Sequence, residues 1–133
     1  LKKKIIRKIS PDFSRAKFLL KESEISFEGL KERIKIIGIN SKNSNSIVRD
    51  CYNIIMEKIR ARLLLKGYSS SGNYSHEAEL SYLRKIGFSD NEISFLNNLR
   101  YFRNSSIYYG KLLDKEYAKR VFDFLIKIKK RLK

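Results

Sequence analysis

Arg103 and Asn104, followed by Tyr108 and Tyr109, place in "LRYFRNSSIYYG" (Leu99 to Gly110) the groups best suited to holding a phosphate. A guanidinium offers planar, paired donors to phosphate oxygens. A phenol titrates near pH 10, so either tyrosine donates a hydrogen bond or stacks on a base but is a poor general base at pH 7. Elsewhere there is no Gly-rich phosphate loop and no paired-acid spacing. His76, the only histidine, stands just after Ser75 and reads as a surface residue at a helix start. Cys51, the only cysteine, excludes an intrachain disulfide, and its neighbours Ile47, Val48, Ile54 and Ile55 predict a buried thiol. One His and one Cys do not make a zinc-type site within one chain, so no metal and no cofactor are expected.

The surroundings of Arg103 pose the first structural problem. On a helix at about 100° per residue, Ile93, Leu96, Leu99 and Ile107 share one arc and Arg103 falls in its middle. Phe95, Phe102 and Tyr109 widen that arc, while Ser94, Asn97, Asn98 and Ser105 mark the polar side. An unpaired buried charge costs several kcal/mol or more. Either another helix supplies a partner, or the arc is a contact surface centred on the arginine.

The elements that must position this stretch read as helices throughout. Ser10-Pro11 predicts an N-cap and first position for a helix over about 11–37, with Phe13, Phe18, Leu19, Ile25, Leu30, Ile34 and Ile37 before Gly38. After the polar connection 39–45, Ser44 or Ser46 caps a second helix, ended by Gly67, whose broad apolar arc predicts burial against more than one neighbour. Residues 68–75 read as a serine-rich loop, the segment expected to be most mobile. Ser75 caps a short third helix ended by Gly87, with Leu80 and Leu83 inward. Ser89 and Glu92 form a capping box for the helix of Arg103, expected to be central and closed by Gly110. Asp114 caps the last helix, with the stripe Tyr117, Val121, Phe124, Ile128 and Leu132. These signals predict an all-α, antiparallel bundle of about five helices in a single domain over 1–133.

Charge is the largest compositional anomaly. Thirty Lys and Arg against fourteen Asp and Glu give a formal +16, which points toward polyanions such as nucleic acid. Much of the excess lies at the ends. The basic segment 1–10 carries Lys2, Lys3, Lys4, Arg7 and Lys8 without an acid, and 115–133 carries eight basic residues, Lys127 and Lys130 among them, against Glu116 and Asp123. Seventeen Ile against two Val also fit the coding bias of an A/T-rich genome, a competing source of lysine. No run of 18 apolar residues predicts a transmembrane helix, and the basic opening lacks the apolar core of a signal peptide. A cytoplasmic setting without membrane contact is expected.

The order of helices, with "ARLLLKGY", "SHEAELSYL", "FLNNLRYFRNSSIYYG" and "LDKEYAKRVFDFLIKI", resembles an archaeal branch of the HEPN-domain proteins over roughly residues 12–130. The resemblance implies a helical bundle that forms homodimers. It also implies a metal-independent ribonuclease site of Arg, a polar residue and a later His, two such motifs meeting across the dimer. Arg103 and Asn104 match its start. Tyr108 stands where the shortest form of the motif has its histidine, and the longer forms place it at Tyr109 or Gly110. The resemblance therefore implies a dimeric module that contacts RNA or a nucleotide around Arg103, with Asn104 and Tyr108 in a catalytically weak or inactive site. Two alternatives stay open. One is a toxin-like ribonuclease in which Tyr108 or a displaced His76 replaces the base; the other is an interaction subunit of a minimal nucleotidyltransferase.

Overall fold

The computed structural model describes residues 6–8, 12–70, 75–108 and 113–132, the side chains of 6–8, 68–70, 75–78 and 104–108 excepted. Five helices occupy most of it: α1 (Phe13–Ile37), α2 (Ser44–Leu65), α3 (Ser75–Lys85), α4 (Asp90–Tyr108) and α5 (Lys115–Lys129), followed by a terminal 3-10 turn, Lys130–Leu132. The all-helical expectation holds, with one addition. Ile6–Lys8 (β1) pairs antiparallel with Tyr68–Ser70 (β2), Arg7 opposite Ser69. Part of the expected serine loop is therefore a strand, tied by backbone hydrogen bonds to the basic N-terminal segment. Neither strand has the hydrophobic alternation that would have announced it.

Local caps explain most boundaries. Asp12, rather than Ser10, caps α1 by accepting the Arg15 N–H at 3.0 Å. Asn43, rather than a serine, precedes α2, and its side chain works on the connection: Oδ1 accepts the Asn40 N–H at 2.9 Å and Nδ2 donates to the Gly38 carbonyl at 2.9 Å. Gly38 itself sits at φ 82°, a left-handed conformation that favours glycine, and its N–H reaches the Ile34 carbonyl at 2.8 Å. The expected capping box at α4 is present, with the Ser89 N–H donating to Glu92 at 2.9 Å and the Glu92 N–H donating to Ser89 Oγ at 3.1 Å. Asp114 caps α5 by accepting the Tyr117 N–H at 2.8 Å. Gly110, expected to end α4, lies outside the described residues.

The central helix is α2, not α4. Its apolar residues surround the axis, and Ile47, Val48, Cys51, Ile54, Ile55, Met56, Ile59 and Leu63 are all buried against α1, α4 and α5. Such a helix cannot lie on a surface, so three neighbours wrap it. The cross-links also fix direction. Arg33 meets Asp50 and Glu24 meets Lys58, both at 2.7 Å, so α1 and α2 run antiparallel. Asn45 accepts from the Leu113 N–H at 2.7 Å while Arg62 donates to the Arg131 carbonyl at 3.3 Å, so α5 runs the same way as α2. The bundle is thus mixed rather than wholly antiparallel, because the short α3 lets α4 return beside α2 before α5 begins.

Glu92 fastens the start of α4 to the end of α5. Arg131 donates to both of its carboxylate oxygens, and Lys127 lies 3.4 Å away. The Arg131 hydrogen bond is the main reason its carboxyl is pulled down from the ordinary 4.5 to about 2. A group held below its unfolded pKa stabilises the fold above the unfolded value and loses that contribution as the pH falls through the folded one. Glu92→Gln keeps the capping geometry and removes the charge. It is expected to lower stability at pH 7 by about 1–3 kcal/mol. Urea titrations should also show wild type losing more stability than the variant between pH 4.5 and about 2, since the variant keeps only the share of carboxylates such as Glu24, which Lys58 also holds down.

Candidate nucleic-acid interface

The capping box sets the phase of α4, and the buried line Ile93, Leu96 and Leu99 turns one of its faces onto α2. Arg103 continues that line one turn later and is half-buried. Its guanidinium carbon lies 5.9 Å from the ring centroid of Tyr52 on α2. The question raised by the apolar arc therefore has an answer inside the chain. The arginine rests on an aromatic face, a contact worth about 0.5–2 kcal/mol depending on solvent access.

Other charges act on the same phenol. Arg60, two turns beyond Tyr52 on α2, donates through Nε to Glu79 of α3 at 2.9 Å. Arg100, one turn before Arg103, is exposed. Burial pushes the Tyr52 phenol up from its ordinary value, opposed by the charges of Arg100, Arg60 and Arg103 and assisted by Glu79. The hydroxyl therefore stays protonated at neutral pH. Among the described side chains, Arg103 and Arg100 on α4 and Arg60, paired with Glu79, outnumber the one carboxylate, an arrangement that attracts an anion and offers planar donors to a phosphodiester. Tyr101, beside Arg100 and 59% exposed, adds a ring edge-on to Phe102 at 5.5 Å.

Sequence reasoning found Arg103 and missed Tyr52, Arg60, Glu79 and Arg100. Arg100 had a local signal, since residues three apart on a helix are neighbours. The other three come together only through the packing of α2, α3 and α4. Asn104 and Tyr108 belong to the last turns of α4, and their side chains lie outside the described residues, as do Tyr109 and the side chain of His76. Lys2, Lys3 and Lys4 also lie outside them, while Arg7 and Lys8 contribute backbone to β1. Lys127 is held to Glu92 at the other end of α4, about 16 Å along the helix from Arg103. Lys130 is exposed on the terminal turn. The structure does not join these two lysines to the arginine cluster.

Cys51 is buried and its thiol is pushed up by desolvation, as its apolar neighbours predicted. Among the described residues, no helix is long and apolar enough to cross a membrane. No family model matches this chain, and no curated protein matches its sequence.

Proposed function

We propose that this chain is a HEPN-like, homodimeric domain that binds RNA at the arginine cluster on Tyr52, with little or no turnover. The observation that carries the reading is Arg103 set over the buried Tyr52 ring at 5.9 Å, with Arg100 one turn away on α4. Arginine on an aromatic support is pre-organised, so less side-chain freedom is lost when a phosphate binds. The exposed Tyr101 ring suits a stacked base, which single-stranded RNA can present. Turnover is a separate matter. Cleavage through the ribose 2′-hydroxyl needs a proton acceptor active near neutral pH, and neither arginine nor a protonated phenol supplies one.

Fluorescence anisotropy with a labelled single-stranded RNA tests the binding claim. Arg100→Glu, at an exposed position, is expected to weaken affinity by about tenfold or more, as expected for losing a phosphate contact and gaining a repulsion. Lys35→Glu makes the same charge change at the C-terminal end of α1 and should stay within about twofold of wild type. Equal losses in the two variants would mean that bulk charge, not the cluster, holds the RNA.

A further inference from the structure

A groove of about 490 Å³ runs between α3 and α4, with the half-buried Leu80 and the buried Ile93 as its apolar lining. Ser81 of α3 and Ser94 and Asn97 of α4, all exposed, add two hydroxyls and an amide. Among the described residues that line it, the one cation, Arg84, pairs with the one carboxylate, Asp90, at 3.4 Å. The groove is therefore close to neutral, unlike the α4 surface around Arg100 and Arg103. Arginines suit phosphate. An apolar lining edged by hydroxyls and an amide suits the flat face and the hydrogen-bonding edges of a nucleobase. A recess of this size falls within the range of small-molecule sites.

Two elements join the groove to the arginines. On α4, Asn97 stands three residues before Arg100 and four before Tyr101, so both are its neighbours on the helix surface, about 5–6 Å away. Asp90, Ser94, Asn97 and Tyr101, spaced by four, three and four residues, share one face of α4 and lead from the groove to the exposed ring. On α3, Leu80 and Ser81 directly follow Glu79, the carboxylate that holds Arg60 at 2.9 Å. The groove thus opens beside the residues that would hold the backbone of a bound strand.

We infer that the α3–α4 groove seats one base of the bound RNA, adjacent to the base that stacks on Tyr101, with the phosphate between them on Arg100. The inference rests on the RNA reading and deepens it. Phosphate contacts fix where the backbone lies, whereas contacts in the groove depend on the base. A single strand can splay an unstacked base into such a recess, which a duplex does not offer.

Fluorescence anisotropy with the labelled single strand, together with thiol alkylation, tests it on the full chain. Ser94→Leu fills the groove from an exposed position and leaves the charge alone. It should weaken affinity about fivefold or more, the lower end of what losing one seated base costs. The salt dependence should keep its wild-type slope, since no phosphate contact is removed, and the helical circular dichroism should not change. Ser81→Cys supplies an accessible thiol, because the native Cys51 is buried. Saturating RNA should slow its alkylation severalfold, while Ser26→Cys, exposed on α1, should react at one rate with and without RNA. Wild-type affinity in Ser94→Leu, a loss of affinity with a shallower slope, or an unprotected Ser81→Cys at saturation overturns the seated base and leaves the arginine site standing. A wild type that binds no RNA, or an Arg100→Glu variant that binds it as well as wild type, overturns the RNA reading at the arginines and the seated base with it.

Discussion

Tyr108→His is expected to create or raise a metal-independent cleavage of RNA by about 100-fold or more, the usual scale of a positioned general acid or base. The site already has the cation: Arg103 is held on Tyr52, with Arg100 one turn away. None of the side chains described around it is a histidine, the residue that changes protonation near pH 7. Tyr108 is the last residue of α4, five positions after Arg103, at the offset where the resemblance to HEPN domains implies a histidine. An imidazole there titrates around 6.5, so the gained activity should follow a pH profile near that value. Arg103→Ala in the same variant should abolish the gain, because the developing phosphate charge loses its partner. His76→Ala addresses the remaining histidine, which stands on α3 one turn before Glu79. Any slow wild-type cleavage that uses a displaced base should disappear with it. The assay is a time course on labelled RNA in excess chelator. Efficient wild-type cleavage that survives both Arg103→Ala and His76→Ala would place the chemistry elsewhere.

The helices were legible because their signals are local. A capping box at Ser89 and Glu92, an aspartate at 114 and apolar residues at helical spacing act within a few residues of chain, and each appears where expected. The misses share a cause as well. Asp12 and Ser10 are both good caps, and sequence alone could not rank two acceptors so close together. The polar loop 39–45 becomes a turn stapled by Asn40 and Asn43, so the asparagine that precedes α2 serves the loop instead of the helix. The pairing of Ile6–Lys8 with Tyr68–Ser70 depends on contacts about sixty residues apart and leaves no pattern in either strand. The same limit applies to the site. Arg103 is conspicuous as a charge on an apolar arc, but its partner Tyr52 lies on another helix and carries no local signal that pairs the two. In the sequence Glu79 is one of two glutamates on α3. Only the packing reveals it as the buried carboxylate that holds Arg60.

RNA affinity is expected to fall by about 50-fold between roughly 50 and 200 mM monovalent salt. For a single strand the slope of log K against log salt is about −0.7 per phosphate contacted. Arg60, Arg100 and Arg103 supply three cations at one site, and a fourth from the basic ends gives a slope of about −3. Arg60 counts only in part, because Glu79 already shares its charge at 2.9 Å. The same series on Arg100→Glu should be shallower by about one contact. That difference distinguishes two origins of the basic composition. If the cluster holds the phosphates, removing one arginine changes the slope as well as the affinity. If the lysine-rich ends hold them, the slope is steep in both proteins, and the variant shifts the curve without changing its gradient. A slope near zero for wild type would return the excess of lysine to coding bias and leave Arg103 as a structural contact on Tyr52.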